Sequence, residues 1–196
     1  IYQGDTTKNE VSLMINVYWG TEFVEPMLDV FDKYETKTTF FVGGTWVQEN
    51  RELLQKIIKR GHEIGNHGFH HKDHDKLSES QNKDEISMCG VVVEQATGIQ
   101  MNLFAPPSGA FSQITLSVAE KLGYKTIMWS KDTIDWRDKN ADLAFKRATN
   151  KLAAGDLILM HPTDHTLEAV PDILEYNKNN GYKAVTVSQN IGQNIA

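Results

Sequence analysis

The sequence predicts an α/β fold, a distorted (β/α)-barrel of about seven parallel strands. Three observations predict it. Short apolar, β-branched runs alternate with longer amphipathic segments along the whole chain, as in successive βαβ units. Several helical segments stop at a glycine (Gly61, Gly123, Gly155, Gly181), which returns the chain to the next strand. The residues able to carry chemistry cluster just after strands, where a parallel barrel places its active site. An open, doubly wound sheet is the runner-up.

In order, Val11 to Val17 reads as a strand. Glu22 to Tyr34 reads as a helix, with Val24, Met27, Leu28, Val30 and Phe31 on one side. Thr38 to Val42 is a β-branched and aromatic strand, and Trp46 to Arg60 a helix. His62 to Asn66 is a short strand. Ser78 to Thr97 is a long helix whose Ser78-Glu79-Ser80 start resembles a capped N-terminus. Asn102 to Ala105 is a strand closed by Pro106-Pro107, and Gln113 to Leu122 a helix. Thr126 to Trp129 is a strand, Ala141 to Ala153 a helix, and Asp156 to Met160 a strongly apolar strand. Leu167 to Asn179 is a helix. Lys183 to Val187 is the last strand, with a short helix after it.

The 196 residues suit one domain over 1–196 with a sizeable core. Hydrophobic content of 40% and charged content of 23% are ordinary globular values. A net charge of −6 with dispersed acids argues against nucleic acid, which would need a basic patch. No run approaches the ~20 apolar residues of a transmembrane helix, and no signal peptide is visible at Ile1. Cys89 is the sole cysteine, so no internal disulfide can form. No Gly-x-Gly-x-x-Gly or Walker loop supports nucleotide chemistry.

The most informative stretch is Gly65-Asn66-His67-Gly68-Phe69-His70-His71. It sets His67 and His71 four residues apart on a glycine-rich loop, an efficient half-site for zinc or a similar ion. A solvated histidine-rich turn is the alternative, since His70 and His74 lie nearby. Tyr18-Trp19-Gly20-Thr21-Glu22 follows the first strand, Ala105 to Gly109 the fourth, Asp132 to Trp136 the fifth and His161-Pro162 the sixth. Convergence at one rim favours the metal reading. His161 reads as a general acid or as a histidine capping the barrel lip. Asp132 could orient its ring or form a turn, and Asp135 could equally be a turn former. Trp136 and Phe69 could line a sugar cleft or simply pack.

These motifs, in this order, resemble the polysaccharide deacetylase family (carbohydrate esterase family 4, with its nodulation-type chitooligosaccharide deacetylase domain) over roughly residues 10–190. The family's Thr-Phe-Asp-Asp-Gly block corresponds to Asn16-Val17-Tyr18-Trp19-Gly20, and its Thr-Phe-Phe strand to Thr39-Phe40-Phe41. Its Gly-His-Glu-Ile-Gly-Asn-His block stands intact at Gly61 to His67, with the second metal histidine at His71. Arg-Pro-Pro-Tyr-Gly corresponds to Ala105 to Gly109, Asp-Thr-x-Asp-Trp to Asp132 to Trp136, and Leu-His to Met160-His161.

The resemblance implies metal-dependent removal of acetyl groups from N-acetylated cell-wall or chitin-type glycans, and an extracellular or cell-surface setting. It implies an Asp-His-His triad holding a divalent ion, zinc above all, and an Asp base on the metal-bound water. It further implies a distant histidine acid, His161, oriented by Asp132. Ser108 keeps the backbone N–H that stabilises an oxyanion; Tyr18, Trp19 and Trp136 join it against the substrate. Three family groups are missing together: the base is Tyr18, the metal carboxylate is Trp19, and the arginine is Ala105. Joint loss is coherent, because an arginine without its carboxylate leaves an unpaired charge in the cleft. The chain is therefore expected to be either a weakened deacetylase or a glycan-binding pseudoenzyme with a weakly held metal. Glu22 is the nearest substitute carboxylate, or simply a helix-start residue.

Overall fold

A computed structural model describes residues 1–192; the last four residues of the expected 1–196 domain lie outside the described residues. Among the described residues, eight short strands and eight α-helices follow one another, alternating except at two adjacent helices and two adjacent strands. The strands are β1 (Glu10–Val17), β2 (Thr39–Val42), β3 (Glu63–Asn66), β4 (Leu103–Phe104), β5 (Lys125–Thr126), β6 (Lys131–Asp132), β7 (Leu157–Met160) and β8 (Lys183–Ala184). The helices are α1 (Thr21–Lys33), α2 (Gly44–Glu49), α3 (Arg51–Lys59), α4 (Glu79–Thr97), α5 (Gln113–Lys121), α6 (Ala141–Thr149), α7 (Asp164–Asn179) and α8 (Val187–Asn190).

All pairings between these strands are parallel, in the order β5-β4-β3-β2-β1-β7-β6, and β8 pairs with the first residues of β1. β5 and β6 belong to one stretch of chain. That stretch leaves β4 through the Ile127 N–H to Phe104 bond and joins β7 through the Ser130 N–H to Leu157 bond. A single segment thus bridges the two ends of the sheet, and the barrel reading holds over the open sheet. Counted as one strand, β5 and β6 bring the total to the seven expected.

Strand alternation builds the site. Along β1, Leu13, Ile15 and Val17 join the core beneath the helices, while Met14 joins the barrel interior with Phe41, Leu103, Ala105, Leu157 and Leu159. The period-2 continuation of the interior set is Asn16 and Tyr18 on the first strand, His67 on the third and His161 on the seventh. Gly65 is required beneath Phe41, because a Cβ there would lie 2.5 Å from the ring. The interior face therefore runs straight from a packed core into the reactive rim.

Several elements differ from expectation. The helix expected from Trp46 to Arg60 is two helices: Asn50 bonds back to the Trp46 carbonyl and opens α3 through its own carbonyl to Leu54 N–H. The strand expected at 126–129 is instead Lys125–Thr126, that expected at 183–187 keeps only Lys183–Ala184, and the helix from Ala141 ends at Thr149. The Ser78 start is a full capping box with Gln81. Cys89 is fully buried. No helix among the described residues is long and apolar enough to cross a membrane.

Candidate functional site

All the predicted site residues except Glu22 line one cleft of about 650 Å³, together with Asn16, Gly109, Trp129 and Leu159. Glu22 instead stands in the first turn of α1 and faces two neighbouring surface depressions. The structure therefore does not bring it into the cleft, where a substitute carboxylate was expected.

The histidine loop is built from behind. Asn66 donates to the Ile86 carbonyl of α4, and its Oδ1 accepts from Gly68 N–H. The buried Glu85 accepts from the N–H groups of Phe69 (3.1 Å) and His70 (2.7 Å) and contacts the His70 ring at 2.7 Å. Gly68 at φ 73° and His71 at φ 54° make the two left-handed bends that such a tight loop needs. The sequence reading missed Asn66 and Glu85. The available signal was polar Asn82 and Glu85 on the buried stripe of α4, beside Ile86 and Cys89.

His67 Nδ1 donates to the Ala105 carbonyl at 2.7 Å, which leaves Nε2 as the lone-pair nitrogen. Burial, and secondarily the His71 charge, push its pKa down to about 3, so the ring is neutral. Burial also lowers His71. The two rings meet edge to face with centroids 5.1 Å apart. Their donor chemistry fits zinc. Among the described residues, however, no three His, Cys, Asp or Glu side chains lie together to hold a metal ion.

The two positions after β1 for which the resemblance implied carboxylates carry aromatic rings. Tyr18 lies over Gly43, where a Cβ would meet the ring at 2.3 Å, and its hydroxyl accepts from Thr45 Oγ1 at 2.7 Å. Its ring centroid is 5.0 Å from that of His71. The Trp19 indole stacks on the His161 imidazole at 5.6 Å and 8°.

One expectation is corrected. The carboxylate holding His161 is Asp135, not Asp132. Asp135 Oδ1 contacts His161 Nδ1 at 2.8 Å, while Oδ2 accepts from His161 N–H (2.6 Å) and Thr166 Oγ1 (2.5 Å). Burial alone would raise the Asp135 carboxyl, but the His161 hydrogen bonds and charge and the Thr166 hydroxyl hold it below its ordinary value. Asp132 Oδ1 instead accepts from Ile134 N–H at 2.8 Å, two residues on, the turn role weighed for it. Ile134 at φ 51° is strained for a β-branched residue. Asp132 still lines the cleft. So does Ser108, at φ 57°, whose hydroxyl bonds to Asp73. Thr166, in the first turn of α7, was not foreseen.

A family model described as polysaccharide deacetylase matches residues 3–127. The Bacillus subtilis protein YlxY is 39% identical over 189 residues, spanning 96% of this chain and 59% of that protein. Peptidoglycan-N-acetylmuramic acid deacetylase PdaA of the same organism is 32% identical over 186 residues, spanning 92% and 71%. The crystal structure of BA3943, a carbohydrate esterase family 4 pseudoenzyme from Bacillus anthracis, aligns with a TM-score of 0.95 at 35% identity, covering 98% of this chain and 69% of that one. A BA3943 mutant with restored enzymatic activity aligns equally, with a TM-score of 0.95.

Proposed function

The chain belongs to the polysaccharide deacetylase family, and we propose that it is a member that binds N-acetylated cell-wall glycan while its hydrolysis of acetyl C–N bonds is weak or lost. One observation carries this reading: rings of Tyr18 and Trp19 line the cleft where the family places a base and a metal carboxylate, while His161 and Asp135 stand paired. Neither a phenol hydroxyl nor an indole offers the carboxylate oxygens that serve as a base or as a metal ligand. Loss of a general base alone typically costs ~10²–10⁴-fold. The likeness to a described pseudoenzyme agrees with it.

Zinc, where it binds, would be held by His67 and His71, and would polarise the acetyl carbonyl. The rest is the work of this chain's own groups. The Ala105 carbonyl fixes the His67 tautomer, Asp135 and Thr166 orient His161, and His161 Nε2 is the proton donor to a departing amine. The setting proposed is the cell surface, with peptidoglycan or a chitin-like polymer as partner. A second reading rests on Asp132, the carboxylate that does line the cleft: a hydrolase with its base relocated there. Acetate release from acetylated chitooligosaccharides with added zinc tests both. Release at or below background supports the binding protein; rapid zinc-dependent release that Asp132→Asn removes supports the relocated base.

A further inference from the structure

We infer that His62 is an acid-released latch at the end of the barrel opposite the cleft: a second proton on its ring expels it from between α1 and the sheet and frees the last turn of that helix. The latch works without ligand or metal and is independent of the glycan-binding reading above.

His62 is 5% exposed and immediately precedes β3. Its ring packs against Phe31 of α1 and Phe40 of β2, with centroids 5.5 Å away in each case. Two donors converge on Nδ1: the Thr38 N–H at 3.1 Å and the Thr38 hydroxyl at 2.9 Å. A backbone N–H can only donate, so Nδ1 holds the lone pair and the neutral ring carries its proton on Nε2. Nε2 is itself buried, with no hydrogen-bond partner among the described residues. A second proton, on Nδ1, would meet the Thr38 N–H donor to donor. The threonine hydroxyl can turn and accept from it; the backbone N–H cannot.

The charges around the ring do not offset this cost. Lys37, just before β2, donates to the Arg60 carbonyl at 2.7 Å, which fixes a cation close by. Arg60, after α3, adds a second cation, and it already holds Asp32 of α1, the carboxylate acting on the ring, at 3.3 Å. Glu63, next in sequence, accepts from the Thr39 hydroxyl and the Ser188 N–H, and β2 carries no charged side chain. Burial, and after it the Lys37 charge, lower the His62 pKa to about 4. A folded value below the unfolded one near 6.5 makes the latch complete above about pH 6.5 and lost as pH falls toward about 4. Each pH unit in that window favours the released ring by up to about tenfold. The release runs through α1, because Phe31 packs on the ring and its carbonyl accepts from Thr36 N–H in the connection that leads to Thr38. Glu35 in that connection stands at φ 51°, a left-handed bend that a non-glycine residue keeps only while its neighbours pin it.

Amide exchange across pH tests the latch. In the wild type, protection of the Tyr34, Thr36 and Thr38 amides, corrected for intrinsic exchange chemistry, is expected to fall about tenfold or more from about pH 6.5 to about pH 4.5. His62→Asn keeps an acceptor for Thr38 N–H and has no proton to gain, so its protection is expected to hold nearly level. His67→Asn is expected to leave the wild-type fall in place, which separates the latch from the cleft histidine. Lys37→Gln leaves the ring intact, removes a repelling charge and is expected to make the fall shallower. Nitrogen-15 spectroscopy of the wild type at neutral pH is expected to find the His62 proton on Nε2. A proton on Nδ1, level protection in the wild type, or a fall that His62→Asn retains in full overturns the latch.

Discussion

The two halves of the cleft differ in how they are built. On the β7 side, His161, Asp135 and Thr166 form a closed hydrogen-bonded network around a carboxylate that is 1% exposed. On the β1 side, Tyr18 and Trp19 are held by a threonine hydroxyl and ring stacking. The contrast teaches that, on the proposed reading, the two halves of such a site differ in how far the fold depends on them. Asp135 satisfies backbone and side-chain donors as well as orienting the acid, so removing it leaves buried groups unpaired. At the open end of β1, Tyr18 and Trp19 satisfy no buried backbone donor, so a change of residue there is expected to cost the fold little.

The strongest way to break this comparison is to rebuild the lost half. Tyr18→Asp, Trp19→Asp and Ala105→Arg together are expected to raise zinc-dependent acetate release by ~10²-fold or more, and His161→Ala in that background to abolish the gain. If a folded, zinc-loaded triple variant stays silent, the retained acid half is not a working one. Ala105 is the demanding site, being 1% exposed inside the barrel, so the variant needs its fold checked by near-ultraviolet dichroism.

Next is metal affinity. His67 and His71 are expected to bind zinc more weakly than a complete three-ligand site, and His67→Ala to abolish measurable binding by calorimetry. Equal affinity in wild type and His67→Ala would place the metal elsewhere.

Asp135→Asn and Asp132→Asn sharpen the assignment of the orienting carboxylate. Asp135→Asn turns an acceptor of three donors into a group with a misplaced NH₂, and is expected to cost about 2–4 kcal/mol in denaturant unfolding. Asp132→Asn keeps an acceptor for Ile134 N–H and is expected to cost under about 1 kcal/mol. The reverse order would return the acid-orienting role to Asp132.

Much of this was legible in the sequence. Short apolar runs alternating with amphipathic helical segments, and helix-ending glycines, give the barrel, and the intact Gly61 to His67 block gives the loop. What escaped was set by tertiary geometry. Asp132 and Asp135 share one short turn, and only the strained Ile134 backbone decides which carboxylate turns beneath His161. Asn50 lies in an unbroken helical apolar pattern, and its side-chain bond to Trp46 ends one helix there. Glu22 is near Gly20 in sequence, but the turn of α1 carries it off the cleft.

The two halves also titrate in different windows. His67 has a folded pKa depressed to about 3 by burial. Its contribution to stability is present above its unfolded value near 6.5 and lost as pH falls toward about 3, at up to about 1.4 kcal/mol per pH unit. Asp135 is also depressed, but from the carboxylate range, so its contribution persists above about 4 and is lost only at more acid pH. In metal-free buffer the histidine half is expected to weaken first. His67→Asn should flatten the melting-temperature decline between pH 6.5 and 5, whereas Asp135→Asn should leave that decline in place. An unchanged slope in His67→Asn would show that the buried ring does not stay neutral.

The smallest effect separates the histidine loop from the residues it presents. Glu85 touches neither ring that faces the cleft, yet it accepts the Phe69 and His70 N–H groups between them. Glu85→Gln keeps one carbonyl oxygen for those donors and removes the charge that strengthens the bonds. The expected cost is about 1–2 kcal/mol in global stability, with amide exchange at Phe69 and His70 accelerated beyond what that loss explains. Zinc affinity should fall with it, since two ligands four residues apart are only as well aimed as the backbone between them. Lys72, whose ammonium is 3.8 Å from Glu85, serves as the control: Lys72→Gln removes a charge beside Glu85 and leaves both amide bonds in place. If Lys72→Gln loosens the two amides as much as Glu85→Gln does, local charge and not the paired acceptor holds the loop, and the loop would then belong with the weakly anchored β1 half of the cleft.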